Sequence, residues 1–253
     1  MHIVVLIKRV PDTASKITIA ADGRTIETAG LQFVLNPYDE FAIEAALQLK
    51  EQVGAGTVTV MTLGPAEAAQ TLRSALAMGA DRGVHLEHEQ QLGDPYAIAR
   101  TLATAIQGLA PPADLVLAGR QAVDSQSLAV GPMVASLLEL PCVTDVTRLE
   151  RQPEGKLRVE REVEGGHEVL LVEPPALLTT NKGLNEPRYA SLKGIMAAKK
   201  KPIEEPAVPI APALSAILRL EYPPARQGGR IVGEGAAAVP ELVRLLREEA
   251  KVL

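Results

Sequence analysis

The chain has 253 residues, 47% of them apolar, enough to bury one large core or two smaller ones. Aromatics make up only 2% and Trp is absent, so the core must be built from Ala, Val, Leu and Ile, which suits a parallel sheet covered by helices. A net charge of −5 excludes a general nucleic-acid binder, and the single cysteine, Cys142, excludes an internal disulfide and fits a reducing compartment.

His2–Ile7 is an unbroken apolar run and reads as a strand buried on both faces. MHIVVLIKRV lacks the length and cleavage site of a secretory signal, and no apolar run reaches the roughly 18 residues of a membrane span. The expectation is a soluble, cytoplasmic protein with no membrane span. Lys8–Thr13 follows as a loop at the strand's carboxyl end, and Ile17, Ile19 and Asp22-Gly23 suggest a small hairpin. Asn36-Pro37 starts a helix, with Asn as cap and Pro in the first turn. Phe41, Ala42, Ala45, Ala46 and Leu49 repeat at helical spacing, and the helix should stop near Gly54.

Thr57–Thr62 is the next strand, followed by a helix through Met78 that Gly79 ends. Gly83–Leu86 is a short strand. Asp94-Pro95 opens a helix over Tyr96–Leu109, Pro111-Pro112 breaks it, and Asp114–Ala118 is a strand. Gly119–Gly131 is a polar loop and Pro132–Leu140 a helix. This alternation predicts an α/β fold with a Rossmann-like, mostly parallel sheet flanked by helices.

The pattern changes from Cys142. Leu157–Val163 and His167–Val172 flank Glu164-Gly165-Gly166 as an added β-hairpin, and Pro175–Thr180 returns to the buried sheet. Beyond Lys199–Lys201, Pro202, Pro206, Pro209 and Pro212 space out an extended linker. Ala213–Tyr222 could be a strand, Gln227–Gly235 is loop, and Pro240 opens a last helix, Glu241–Lys251. The expected division is a nucleotide-binding α/β domain over residues 1–203 and a linker with a C-terminal arm over 204–253. The prolines suggest an arm that reaches across a partner rather than packing at home.

No catalytic constellation stands out. His2, His85, His88 and His167 share no metal-ligand spacing, and there is no Walker lysine motif, GxSxG elbow or GxGxxG after the first strand. What remains is a crevice where three loops leave strand carboxyl ends: Leu6–Thr13, Leu63–Ala66 and Gly119–Gly131. The third is rich in small and polar residues and leads into a helix start, where free N–H groups attract phosphate. The stretch Leu184–Lys201, LNEPRYASLKGIMAAKKK, has two readings by pattern. One is a surface helix with a single core-facing Leu192 and a solvated lysine tail. The other is a projecting loop that offers Leu192 to a partner as an apolar anchor.

This stretch resembles the signature of the electron transfer flavoprotein beta subunit. The resemblance extends to KRVPD (Lys8–Asp12), NPYDEFAIEAALQLKE (Asn36–Glu51), ALAMGADRG (Ala75–Gly83), GRQAVD (Gly119–Asp124) and LRVEREVEGG (Leu157–Gly166). It implies the beta subunit of a heterodimeric electron carrier rather than a stand-alone enzyme. FAD would be held mainly by an alpha subunit, and structural AMP would lie in beta. Electrons would come from flavin dehydrogenases, typically the acyl-CoA dehydrogenases of fatty acid oxidation, and pass to a quinone oxidoreductase. The resemblance places the nucleotide against Leu6, Asn36, Pro37, Tyr38, Asp39, Leu63 and the loop Gln121, Ala122, Val123, Asp124, Ser125, Gln126, Ser127, Leu128, Ala129, Val130 and Gly131. Thr13 and Tyr38 would stand near the alpha-subunit flavin, and Thr13 cannot stack where some members have tyrosine. Partner docking would fall to Leu184, Asn185, Glu186, Pro187, Arg188, Tyr189, Leu192, Ile195 and Met196.

The loop departs from the family's usual AMP-type sequence. Ser125–Gly131 stands where many members carry an acidic run with Asn-Gln-Thr-Gly. Val130-Gly131-Pro132 resembles electron-bifurcating members, which hold a second FAD and use NADH, yet their usual Gly-Asp-Thr is absent after Asp124. The alternatives are therefore a bifurcating member and, outside the family, a universal-stress-type nucleotide-binding module.

Overall fold

The computed structural model describes residues 1–89, 93–225 and 228–253. The elements run β1 (His2–Leu6), β2 (Arg9–Pro11), β3 (Phe33–Leu35), α1 (Pro37–Val53), β4 (Thr57–Gly64), α2 (Ala68–Met78), β5 (Arg82–Glu87), α3 (Pro95–Gln107), β6 (Leu115–Gly119) and α4 (Val130–Leu137). After these come β7 (Cys142–Arg151), β8 (Leu157–Val163), β9 (Gly166–Val172), β10 (Ala176–Thr180), α5 (Leu192–Ala198), β11 (Ile203–Glu204) and α6 (Val239–Glu248).

One sheet organises them, in the order β11-β5-β4-β1-β6-β10-β7-β8-β9. From β11 to β7 the neighbours are parallel; β8 and β9 are added antiparallel. Successive side chains of a strand point to opposite faces. Ile3 and Val5 therefore join the core under α1 and α2, while Val4 and Leu6 join the core under α3 and α4. Every residue of β1 is buried, as its unbroken apolar run requires. The expected α/β class, with a mostly parallel sheet flanked by helices and an added hairpin, is the observed one.

Local signals explain most boundaries. Pro37 opens α1, and Gly54 ends it in the left-handed region at φ 74°, its amide reaching the carbonyls of Lys50 and Glu51. Asp94 caps α3 by accepting from the Ala97 amide at 2.8 Å.

Several expectations need correction. Within Lys8–Thr13, Arg9–Pro11 is a strand paired with Phe33–Leu35. The Ile17–Ile19 hairpin shrinks to one antiparallel bridge, Ile19 with Ile26. α4 begins at Val130, not Pro132, because proline is tolerated in a first turn. α5 begins at Leu192, with Ser191 as cap, and residues 188–190 are non-helical. Ala213–Tyr222 forms no strand, and Gln227 of the expected loop lies outside the described residues.

The chain divides into a unit Met1–Arg219 and a second unit Leu220–Leu253. The start of the linker does pack at home. β11 pairs with Gly83 and Val84 of β5, and Val208 packs on the core under α3 and α4. The Ala211 amide reaches the Thr101 hydroxyl at 3.0 Å, and Ser215 donates to Asp94. In the second unit α6 buries none of its residues, and Val239, Leu242 and Val243 are exposed. No helix among the described residues is long and apolar enough to cross a membrane.

Candidate functional site: the β1–β6 crevice and the α5 platform

β1 lies between β4 and β6, and chain growth reverses there. From β1 the chain adds β4 and β5 on one side, then crosses to β6 and its neighbours on the other. In open α/β sheets ligands bind at the strand carboxyl ends beside such a switch.

Asp39 ties that point together. Its carboxylate receives the Lys8 amide at 2.7 Å, the Asn36 side-chain amide at 2.9 Å and the Gly119 amide at 3.1 Å. Ends of β1, α1 and β6 thus meet on one buried carboxyl. Burial pushes that carboxyl up to about 7, against the hydrogen bonds and the Lys8 charge, which pull it down. Gly119 has no room for a side chain: a Cβ would stand 2.6 Å from Tyr38 Cβ and 2.8 Å from its carbonyl carbon.

Asn36 does not cap α1 with its side chain. Its Nδ2 donates to the Gln121 carbonyl at 2.9 Å, and its Oδ1 accepts the Val123 amide at 3.1 Å. Lys8 Nζ pairs with both Asp124 oxygens, at 2.8 and 2.7 Å. The loop after β6 is therefore held against β1 and α1 over residues 121–124. It then turns through left-handed residues Gln126 (φ 50°) and Leu128 (φ 53°) into α4. Gly131 lets α4 sit against β10, since a Cβ there would stand 2.6 Å from Thr179 Cγ2.

The expected crevice residues divide accordingly. Leu6, Asn36, Asp39 and Gln121–Asp124 are brought together by pairing and hydrogen bonds. Leu63 lies near the carboxyl end of β4, and residues 125–129 continue an exposed to half-buried loop. Tyr38 is half-buried in the first turn of α1, and Thr13 is exposed beyond β2. Sequence reasoning placed Lys8, Gly119 and Arg120 in the crevice loops but gave none of them a role. Arg120 pairs with Asp145 at 2.9 Å, while its Nε is buried without a hydrogen-bond partner among the described residues. The available signal was position alone: each lies within two residues of the carboxyl end of a central strand.

The 184–201 stretch is anchored at several points. Asn185 donates to the Phe41 carbonyl at 3.0 Å, and Arg188 forks onto Glu44 at 2.8 Å and Glu51 at 2.7 Å. Glu44 is buried, which raises its carboxyl, but the Arg188 and Gln48 hydrogen bonds and the Arg188 charge hold it below the ordinary range. Ser191 accepts from the Gly194 amide at 3.0 Å, capping α5. At the far end Arg73 donates to the carbonyls of Ala198 and Lys201, both at 2.6 Å. Lys201 Nζ in turn reaches the Leu76 and Ala80 carbonyls at 3.0 and 2.6 Å. Gly194 allows close contact with α2, for a Cβ would meet the Ala77 carbonyl oxygen.

On this fixed platform Leu192 is 85% exposed and Tyr189 98%, with Met196 and Ile195 beside them. The core-facing role for Leu192 is excluded, and Ala198 is the buried residue of α5. Glu186 is exposed, and Leu184 and Pro187 are half-buried.

A parallel sheet with this switch point, and a glycine-flanked polar loop feeding a helix start, defines the doubly wound α/β class of ligand-binding domains. Within it, residues 24–211 match the family model described as the electron transfer flavoprotein domain. Over its full length the chain is 43% identical to all of the electron transfer flavoprotein subunit beta of Bacillus subtilis. It is 41% identical to that of Bradyrhizobium diazoefficiens, again over the whole of both chains. The human subunit is 38% identical, with all of this chain and 99% of the human one covered. The chain belongs to the electron transfer flavoprotein beta-subunit family.

Proposed function

We propose that this chain is the beta half of a heterodimeric electron carrier, with FAD held mainly by an alpha subunit and AMP in the β1–β6 crevice. The FAD, when bound, supplies the redox chemistry, and this chain's part is mechanical. The full-length similarity to beta subunits supports the pairing with alpha. The donor set at the crevice fits a nucleotide phosphate: Lys8 at its mouth, Arg120 with an unpartnered buried Nε, and the first-turn amides of α4. Leu6, Asn36–Asp39, Leu63 and Gln121–Gly131 would hold the nucleotide, and Thr13 and Tyr38 would face the alpha-subunit flavin. Of residues 204–253, the start packs on this chain and the remainder, Leu220–Leu253, forms the arm against alpha, a role that suits α6 with its exposed Val239, Leu242 and Val243.

The platform docks flavin dehydrogenases, typically acyl-CoA dehydrogenases in fatty acid oxidation, and the carrier then passes electrons to a quinone oxidoreductase. The single observation that carries docking is Leu192, almost wholly exposed on a helix secured at both ends. Burying one Leu is worth about 1.5–3 kcal/mol, while association costs several, so each encounter is weak and releasable, as a carrier needs. The proposed compartment is the cytoplasm, in keeping with one cysteine in the chain.

The test is a nucleotide census of the chain co-purified with its alpha subunit, denatured, with FAD and AMP quantified. One FAD and one AMP per heterodimer is the expected result. Two FAD and no AMP would replace this reading with the bifurcating one, and NADH oxidation would be the next assay. Absence of flavin from every complex would overturn the electron-carrier assignment.

A further inference from the structure

His85 uses one ring nitrogen and leaves the other waiting. The residue is 1% exposed in β5. Its Nε2 lies 3.1 Å from the Gly64 carbonyl oxygen at the end of β4. That oxygen can only accept, so Nε2 carries the proton and, in the neutral ring, Nδ1 keeps a free lone pair. Nδ1 is buried and has no hydrogen-bond partner among the described residues. It faces a cavity of about 290 Å³ between His85–Glu87 and the segment 205–210. One ligand atom from each of His85, Glu87 and Glu205 lies within 4.8 Å of the other two, with Nδ1 3.9 Å from Glu205 Oε1.

We propose that His85, Glu87 and Glu205 bind one first-row divalent cation of the zinc type, which fastens the segment after β11 to the end of β5. The site does not involve the β1–β6 crevice residues, and it stands whether or not the carrier reading does.

Four observations converge on a cation. A metal-bound histidine turns its second N–H to a backbone carbonyl or carboxylate, which fixes ring and tautomer, and His85 already does so with Gly64. The donor set is one imidazole and two carboxylates, which suits zinc and its neighbours better than magnesium or calcium. The geometry is nearly closed. Tetrahedral bonds of about 2.0–2.2 Å set ligand atoms roughly 3.5 Å apart, so small movements of the two exposed glutamates complete it around a fixed His85. The cavity leaves room for a water as fourth ligand.

The placement also has a structural logic. β11 is a two-residue edge strand, held by β5 at Gly83 and Val84. Glu205 follows it directly, and His85 and Glu87 follow its partners on β5. A cation there extends the same seam where backbone pairing stops. The rival occupant of Nδ1 is a proton, which would make an ion pair with Glu205 and need no metal.

Titration calorimetry of Zn²⁺ into the untagged, metal-stripped full chain separates the two. The expected result is one site per chain, weakened at least tenfold in Glu205→Gln and lost in His85→Gln. At one fixed Zn²⁺ concentration the rise in Tm should be clearly smaller in Glu205→Gln than in the wild type. Glu205 has a side chain 61% exposed, so its variant keeps the test valid if His85→Gln fails to fold. No stoichiometric binding, or binding unaltered in Glu205→Gln, overturns the proposal.

Discussion

Arg188 grips Glu44 with three hydrogen bonds: from Nε at 2.8 Å, from Nη2 at 3.0 Å and from its own backbone amide at 3.1 Å. Glu44 is a buried carboxylate on α1, so this pair fastens the irregular segment 184–191 to that helix. Replacing Glu44 with Gln removes the buried countercharge and leaves the guanidinium paired with the exposed Glu51 alone. Breaking a fully buried pair costs about 3–5 kcal/mol, but Arg188 is a third exposed and water repays part, so about 1–3 kcal/mol is expected. Urea unfolding measures the loss, and limited trypsin digestion should cut faster at Arg188 and Lys193. Because Glu44 is held below its ordinary range, its contribution is present at neutral pH and disappears as acid protonates it.

Asp39 has the opposite sign. Its carboxyl is raised to about 7 in the fold, chiefly by burial, so the native state holds a proton that the unfolded chain has released. The stability from this group is fully present below the unfolded value of about 3.9 and is lost as pH rises through about 7. The slope is at most about 1.4 kcal/mol per pH unit. Denaturation midpoints at pH 5, 6, 7 and 8 should fall with pH in the wild type. In Asp39→Asn the fall should flatten, from a lower start, because one amide among its three donors loses an acceptor. Equal slopes in both proteins would remove Asp39 as the source.

Gly131 and Thr179 offer a cleaner energetic test. A methyl at 131 overlaps Thr179 Cγ2, so Gly131→Ala should lift α4 from β10 and cost about 1–3 kcal/mol. Thr179→Ser removes that methyl while keeping the hydroxyl that accepts from the Asp145 amide at 3.1 Å. The double variant should recover most of the loss, a coupling visible in a double-mutant cycle. Gly119→Ala has no such remedy, since its Cβ would strike the Tyr38 backbone.

The parts of the fold legible from sequence are those whose cause is local. Asn36-Pro37 and Gly54 bound α1 by their own backbone preferences, and the unbroken run at β1 announces burial on both faces. Causes distant along the chain were hidden. Arg9–Pro11 is too short to show alternation, and its partner Phe33–Leu35 lies beyond a long loop. Asn36 is a good cap by type, yet the carbonyl of Gln121 and the amide of Val123 outbid the helix for its side chain. Leu214, Ile217 and Leu218 read as a strand by composition but remain exposed and unpaired with any strand. At the crevice, residue types marked the loops, while the buried junction at Asp39 needed the tertiary structure to appear. His85 and Glu87 sit two apart on one strand face, and Glu205 arrives from a proline-rich segment that carries no ligand spacing.

Leu192 and Gly194 separate an anchor from the platform that presents it. Leu192 is 85% exposed, so Leu192→Ala should change stability by no more than about 0.5 kcal/mol. If its burial against a dehydrogenase supplies about 1.5–3 kcal/mol, the second-order rate of flavin reduction should fall roughly tenfold to a hundredfold. FAD content and the heterodimer should be unchanged, because the side chain touches neither crevice nor core. Gly194→Ala acts differently. Its new methyl would press on the Ala77 carbonyl oxygen and force α5 away from α2, so Tm and reduction rate should fall together. Stopped-flow flavin reduction and thermal melting of both variants distinguish the two effects. Wild-type reduction kinetics in Leu192→Ala would show that docking uses another surface, whatever Gly194→Ala does.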